Sequence, residues 1–166
     1  MLLQRVLTAL VLVPLALLII LLPDTAVFAL ICAATFLGAL WEWSQLGGLK
    51  SLMARGMLLI VAAVIFALLW QWHATVLTPL LLVAGVIWWL LACLWLRHFA
   101  FAAAPTGENR ALKLLAGALV IFPAWIALLA IHGRVPHGHW WTLLALVIVW
   151  CADIGAYFSG RAFGKR

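Results

Sequence analysis

The chain of 166 residues is too apolar for water to be its main solvent. Hydrophobic residues make up 69% of it and charged residues only 8%, whereas a soluble domain carries about 45–50% apolar and about 25% charged residues. The net charge of +6 is spread singly or in pairs between apolar runs, a pattern that excludes a nucleic-acid-binding face. We therefore expect an integral membrane protein with the lipid bilayer as its partner.

Six apolar runs follow one another along the chain, each close to the roughly 20 residues that a helix needs to cross a bilayer. Because a backbone in lipid must satisfy its hydrogen bonds within its own segment, each run is predicted to be a helix. The predicted fold class is an all-α polytopic transmembrane bundle forming a single transmembrane domain, 1–166. The predicted spans are residues 6–22, 26–46, 57–72, 76–96, 114–131 and 140–158.

The breaks between the runs hold polar, Gly and Pro residues. The longest break, Arg97 to Lys113, is predicted to be a soluble loop. Pro14 and Pro123 lie inside predicted spans and are expected to kink their helices, because proline lacks a backbone N–H and its ring clashes with the preceding turn.

The basic residues predict how the chain is oriented. Cytoplasmic loops hold an excess of Lys and Arg, and with the N-terminus inside only Arg134 of the ten basic residues falls outside. Both ends are therefore predicted to be cytoplasmic. The basic residues predicted inside are Arg5, Lys50, Arg55, Arg97, Arg110, Lys113, Arg161, Lys165 and Arg166.

An acidic residue interrupts the last span. At helical spacing Asp153, Tyr157, Gly160 and Gly164 share one face, with Arg161 at its edge. An ionisable group in a span is costly and marks a functional site by default, and a carboxylate there can hold Mg²⁺ together with phosphate oxygens. The alternative is structural: the glycines permit close helix packing and Asp153 pairs with an arginine.

The basic tail that follows this face is a candidate phosphate site. Arg161, Lys165 and Arg166 are interleaved with glycines near the predicted membrane surface, where cations and flexible backbone can bind phosphate. Alternatively, orientation and the helix dipole alone explain basic residues at a cytoplasmic helix end. The tail is not a P-loop, since the GxxxxGK[ST] pattern is absent.

A second acid, Glu42, lies near the predicted cytoplasmic end of the second span. It and Asp153 could therefore reach one cytoplasm-facing cavity. The alternative is an interfacial acid flanked by Trp41 and Trp43, since tryptophan favours the headgroup layer.

Histidines gather in the predicted outer loop beside Arg134. They are His132, His137 and His139, and clustered histidines can bind zinc or copper. The alternative is a loop without a metal.

Three segments resemble one enzyme family. Residues 152–166, ADIGAYFSGRAFGKR, are similar to the Asp-x-Gly-Ala-Tyr-x-x-Gly-Lys/Arg-x-Phe-Gly-Lys segment of bacterial phosphatidate cytidylyltransferases, also called CDP-diacylglycerol synthases. Residues 4–10, QRVLTAL, and 38–43, GALWEW, resemble that family's N-terminal pattern. The resemblance follows the order of the whole chain and is most specific in its last segment.

The resemblance implies an enzyme that transfers a cytidylyl group from CTP to phosphatidate and releases diphosphate, with Mg²⁺ as cofactor, in the bacterial inner membrane. It implies that Asp153 is a catalytic and metal-binding carboxylate. It also implies that Arg161, Lys165 and Arg166 contact substrate phosphates. A homodimer is a possible assembly.

The family pattern continues beyond what this sequence contains. In the family a Ser-Pro-Gly-Lys-Thr-type segment follows, and later a signature with Lys-Asp, His-Gly-Gly and Asp-Arg-x-Asp, none of which occurs here. We therefore expect the chain to be truncated at its C-terminus, to match about three-fifths of a family member, and to be inactive alone. The alternative function is a non-enzymatic small membrane protein, such as a transporter subunit or assembly partner.

Overall fold

Six helices joined by short connections build the protein. The structure, a computed structural model, describes residues 2–73, 75–98 and 100–164, with the side chains of residues 2–7 and 9 left aside. The described residues contain no strand. In chain order the helices are α1 Leu2–Leu21, α2 Thr25–Leu46, α3 Leu52–Gln71, α4 Leu77–Arg97, α5 Gly107–His132 and α6 Gly138–Phe163.

The predicted class, a polytopic helical membrane protein, is confirmed. Within the described residues, α2 to α6 are each long and apolar enough to cross a membrane, and α1 contributes a shorter apolar segment, Leu10–Leu21. Each predicted span coincides with one helix. The helices continue through Pro14 and Pro123, and the kinks at these residues stay predictions.

The helices α3 and α5 begin five and seven residues before their predicted spans, and a polar residue caps the start of each. The Ser51 hydroxyl accepts a hydrogen bond from the Ala54 amide at 3.4 Å and starts α3 at Leu52. The Thr106 hydroxyl accepts from the Asn109 amide at 3.2 Å and starts α5 at Gly107. Both are N-cap bonds that satisfy otherwise unpaired amides. The predicted loop from Arg97 to Lys113 is therefore wrong over its second half, which is helical.

The chain divides into two compact units, unit 1 formed by Met1–Phe28 with Ile131–Arg166 and unit 2 formed by Ala29–Ala130. In unit 1, α1 contacts α6. The side chains of Ile20, Phe28, His132 and Thr142 are buried there. Unit 1 therefore carries both the loop histidines, His132, His137 and His139, and the polar face of α6.

Unit 2 has an aromatic core between α3 and α5. Phe66 packs against Phe122 and Trp125, with ring centroids 5.1 and 5.0 Å apart. The buried Trp125 indole donates to the Ala29 carbonyl at 3.1 Å and so also reaches α2. Gly85 of α4 lies so close to Pro123 of α5 that an added Cβ would stand 2.7 Å from the proline Cβ. Small and aromatic residues thus let these helices approach closely.

Candidate functional site

The second half of α6 carries the predicted site, and the structure leaves this half uncovered. At the start of α6, Gly138 and Thr142 are buried, whereas every residue from 151 to 164 is exposed. An added Cβ at Gly155 or Gly160 would meet no atom within 4 Å. The described part of the chain therefore does not show the close helix packing that was the structural alternative for these glycines.

Asp153 lies on this uncovered surface, in the membrane-spanning helix. It is exposed and makes no hydrogen bond or ion pair with any described residue. Arg161 is eight positions further along α6, about 12 Å along the helix axis, and the two are not paired among the residues described. Both carboxylate oxygens of Asp153 are therefore available to a ligand, and the predicted structural pairing with an arginine is absent from this part.

The basic part of the predicted site is described only at Arg161, which is exposed in the last turn of α6. Lys165 and Arg166 lie outside the described residues. The helix ends at Phe163, and the Gly164 amide donates to the Gly160 carbonyl at 3.0 Å. On this face the structure places Asp153, Tyr157 and Arg161 on one continuous helix, with the ring of Tyr157 against that of Phe158 at 5.4 Å.

The donor set at this face fits a magnesium ion only in part. The described residues contain no group of three or more His, Cys, Asp or Glu side chains able to hold a metal. Mg²⁺ is commonly bound by one or two carboxylates, with water and substrate phosphates completing its octahedron. Asp153 with its free oxygens can supply one such carboxylate, and phosphate oxygens would have to supply others.

Glu42 lies in unit 2 at the corner where the end of α2 contacts the start of α3 through Arg55. The sequence did not predict this contact. Its neighbour Trp41 is covered by the Arg55 guanidinium, which lies 3.7 Å from the indole ring centroid. Arg55 also donates to the Ser44 hydroxyl at 3.0 Å and to the Trp41 carbonyl at 2.8 Å. Glu42 itself is exposed. Its sharing of a cavity with Asp153 stays a prediction, since the two acids belong to different units.

Arg55 is the residue that sequence reasoning missed at this corner. Its charge placed it among the basic residues predicted to be cytoplasmic. Its side chain instead links α3 to the last turns of α2 by hydrogen bonds. The available signal was its position one turn into a helix next to a Trp-rich helix end, because arginine binds carbonyl oxygens and indole faces at once.

Trp43 fixes α5 at the same corner. Its indole donates to the Lys113 carbonyl at 2.8 Å, and an added Cβ at Gly117 would stand 2.4 Å from the indole nitrogen. The flanking tryptophans of Glu42 therefore make helix contacts within unit 2, and their placement at the headgroup layer stays a prediction.

Two of the three loop histidines, His132 and His139, form a ring stack with Phe28. His132 lies between Phe28 and His139, with ring centroids 4.1 and 4.0 Å apart. Its Nε2 bonds the Ile20 carbonyl at 3.0 Å and its Nδ1 bonds the Thr25 hydroxyl at 3.1 Å. Because both ring nitrogens are engaged, His132 cannot ligate zinc or copper as well.

Comparison with known proteins identifies relatives of the whole chain. Residues 3–166 match the model of a family described as the cytidylyltransferase family. The phosphatidate cytidylyltransferase of Pseudomonas aeruginosa is 37% identical over 166 residues, which are 100% of this chain and 60% of that protein. The phosphatidate cytidylyltransferase of Haemophilus influenzae is 35% identical over 180 residues, covering 100% of this chain and 62% of that protein. No solved structure matches the chain. The chain thus spans about three-fifths of the length of these curated relatives.

Proposed function

The chain belongs to the cytidylyltransferase family, and we propose that it works in the transfer of a cytidylyl group from CTP to phosphatidate in a bacterial inner membrane. Two relatives bear the name phosphatidate cytidylyltransferase. The observation that carries the proposal is the exposed face of α6, where an arginine and a carboxylate without a partner among the described residues lie on one membrane-spanning helix. The family match favours this function over a non-enzymatic membrane partner.

The reaction would join two phosphates by an in-line displacement. A phosphate oxygen of phosphatidate attacks the α-phosphorus of CTP and forms the new P–O bond. The bond between the α-phosphorus and the oxygen that bridges to the β-phosphorus breaks, and diphosphate leaves with that electron pair. Such a transfer needs positioning and charge neutralisation more than covalent help from the protein.

The residues of this face suit that task by their charges and by their distances from the end of α6. Arg161 would bind a phosphate group with its guanidinium fork, and Lys165 and Arg166 would add positive charge further along the tail. Asp153, about 15 Å from the end of α6 by helix rise, would hold Mg²⁺. When bound, that ion would partly neutralise the negative charge of the phosphates.

Both termini would be cytoplasmic in this arrangement, which would bring the α6 tail to the side where CTP is found. The support is the distribution of basic residues, because only Arg134 would lie on the outer side. A homodimer is part of the same proposal. Cross-linking of the chain in membranes tests it, since a band of twice the monomer mass is expected.

An activity assay on membranes tests the role of Asp153. The chain would be produced together with the part of the Pseudomonas aeruginosa relative that it does not span, and incorporation of labelled CTP into chloroform-soluble lipid would be measured. We expect Asp153→Asn to lower Mg²⁺-dependent incorporation at least about 100-fold, the size of effect seen when a group that stabilises transition-state charge is removed.

Glu108→Gln is the matched control. Glu108 is an exposed acid in the first turn of α5, so its loss should leave incorporation near that of the unchanged chain. Normal activity of Asp153→Asn at equal protein level would remove Asp153 from the site. Equal loss in both variants would point to a general charge effect.

A further inference from the structure

An open cavity with a partly polar lining lies at the start of α6, away from Asp153. It has a volume of about 460 Å³, within the range of ligand-binding pockets. The loop from His132 to Trp140 lines it together with Leu21 and Thr25, and all of these residues belong to unit 1. From Gly138, where α6 begins, to Asp153 the helix rises about 22 Å. The cavity is therefore separate from the face proposed to act on CTP.

His132 lies in the wall of this cavity and is held rigidly by its contacts. This side chain is 1% exposed, stacked on two rings, and bonded to Ile20 and Thr25. His139 adds a second anchor, since its Nδ1–H donates to the Leu21 carbonyl at 3.0 Å. Because a carbonyl can only accept, Nδ1 of His139 carries the proton of this bond. The loop is thus fixed to the end of α1 and the start of α2.

Arg134 lies in this loop. Hydrogen bonds fix its backbone, whereas its guanidinium has no partner among the described residues. Its amide donates to the Ile131 carbonyl at 3.1 Å, and its carbonyl accepts from the Gly138 amide at 2.9 Å. Its guanidinium makes no hydrogen bond or ion pair with any described residue. It is also the one basic residue predicted on the outer side, where arginine is disfavoured. The guanidinium is exposed and is therefore accessible to a ligand.

Arg134 also lines a second hollow, which is apolar. This groove has a volume of about 250 Å³ and runs along α6 past Trp141, Leu144 and Ile148. These three side chains are exposed and follow one another at helical spacing on one face. The exposed rings of Trp140 and Trp141 mark the start of α6 as a headgroup-level position. One arginine therefore joins a partly polar cavity to an apolar groove that points into the membrane.

We propose that this pair of hollows binds a membrane phospholipid, with its phosphate at Arg134 and one acyl chain along the groove. The guanidinium fork matches two phosphate oxygens, and the His137 ring, which lines the same cavity, supplies a further N–H donor. The apolar groove favours a lipid over free phosphate, because only a lipid brings a chain to fill it. The proposal does not depend on the cytidylyltransferase activity.

Native mass spectrometry of the purified chain tests the proposal. The chain would be held in dodecyl maltoside, which contains no phosphate, and titrated with dioleoyl phosphatidylglycerol. We expect saturable binding that Arg134→Gln weakens at least about tenfold, because the variant loses the charge-assisted hydrogen bonds to the lipid phosphate. Arg134→Lys should keep part of the affinity, because it retains the charge and loses the fork.

Arg97→Gln is the matched control. Arg97 is an exposed arginine at the end of α4 in unit 2, and its loss should leave lipid binding unchanged. Ile148→Asn should weaken lipid binding as well, because it places a polar group in the groove. Circular dichroism spectra matching those of the unchanged chain would show that each variant is folded.

Two results would overturn the proposal. In the first, Arg134→Gln binds the lipid as tightly as the unchanged chain, or Arg97→Gln loses as much. In the second, inorganic phosphate displaces the lipid at equal concentration and Ile148→Asn has no effect, which would assign the cavity to free phosphate. An activity assay does not enter this test, so its outcome is distinguishable from failure of the proposed function.

Discussion

Gly138 begins α6 at a point where no side chain fits. An added Cβ would lie 2.3 Å from the His132 carbonyl oxygen and 2.7 Å from that of Ile131. Real Cβ atoms do not approach backbone oxygens so closely, so any larger residue must move the loop. Because the same backbone carries His132 and Arg134, the glycine determines the shape of the cavity that this loop lines.

We expect Gly138→Ala to destabilise the protein by about 1–3 kcal/mol, the cost of overpacking a tight site. The midpoint of thermal unfolding in detergent, followed by fluorescence-detected gel filtration, should fall by several degrees. Gly155→Ala is the control, because its Cβ would meet nothing within 4 Å. An unchanged midpoint for Gly138→Ala would mean that the loop relaxes without cost.

At single residues, the sequence singled out Asp153, whose role stays a prediction, and gave no indication of how His132 is buried. A charged residue in an apolar run stands out by composition, and the structure leaves it unpaired among described residues. The burial of His132 depends on Phe28 and Thr25, which are distant in sequence, and on a carbonyl at the end of α1. No local sequence pattern indicates such a stack, so the sequence did not distinguish His132 from His137 and His139.

Among the elements, the corner between α2 and α3 shows how one side chain can hold two helices. Arg55, in the first turn of α3, bonds the Ser44 hydroxyl and the Trp41 carbonyl in α2. The Ser44 hydroxyl in turn donates to the Trp41 carbonyl at 2.6 Å, so the three groups form one hydrogen-bond network. The loop between the helices carries Gly48 at φ 93° and the exposed Lys50.

Arg55→Ala should loosen this corner and expose the loop to protease. Because the variant loses two hydrogen bonds from a charged group and a cation–π contact, we expect trypsin to cleave after Lys50 roughly tenfold faster in detergent. Mass spectrometry of the fragments measures the rate. Arg97→Ala is the control, as Arg97 holds no other element among the described residues. Equal rates in both variants would remove Arg55 from this function.

The lengths of the elements were predictable where apolar runs set them and not where caps did. The ends of α2 and α4 fall within one residue of the predicted ends at residues 46 and 96, because a change from apolar to polar residues marks them. The start of α5 at Gly107 lies in a polar stretch and depends on the Thr106 cap. Hydropathy carries no information about such a hydrogen bond.

At the scale of the whole molecule, the helix number and membrane class follow from composition, while the division into two units does not. The unit boundaries fall inside α2 and near the end of α5, in apolar stretches without any linker composition. Contacts between distant segments, such as those of α1 with α6, create the division. A single sequence does not display these contacts.

The proposed orientation predicts the behaviour of fusion proteins. Alkaline phosphatase inserted at Val135, which is 94% exposed in the outer loop, should be active, because the enzyme folds only outside the cytoplasm. Green fluorescent protein fused after Arg166 should fluoresce. An inactive phosphatase at Val135 together with a dark C-terminal fusion would reverse the orientation. Phosphatase inserted at Lys50 is the control and should be inactive.

The exposed second half of α6 affects the half-life of the chain in a cell. An aspartate at the centre of an inserted helix costs about 2.5–3.5 kcal/mol at the translocon, and Asp153 has no described neighbour to offset it. Membrane quality-control proteases extract helices that insert poorly. The half-life of the chain, measured by pulse-chase, should therefore lengthen when a protein partner covers this face or when Asp153 is replaced by leucine. On this view the carboxylate makes the abundance of the chain depend on its assembly.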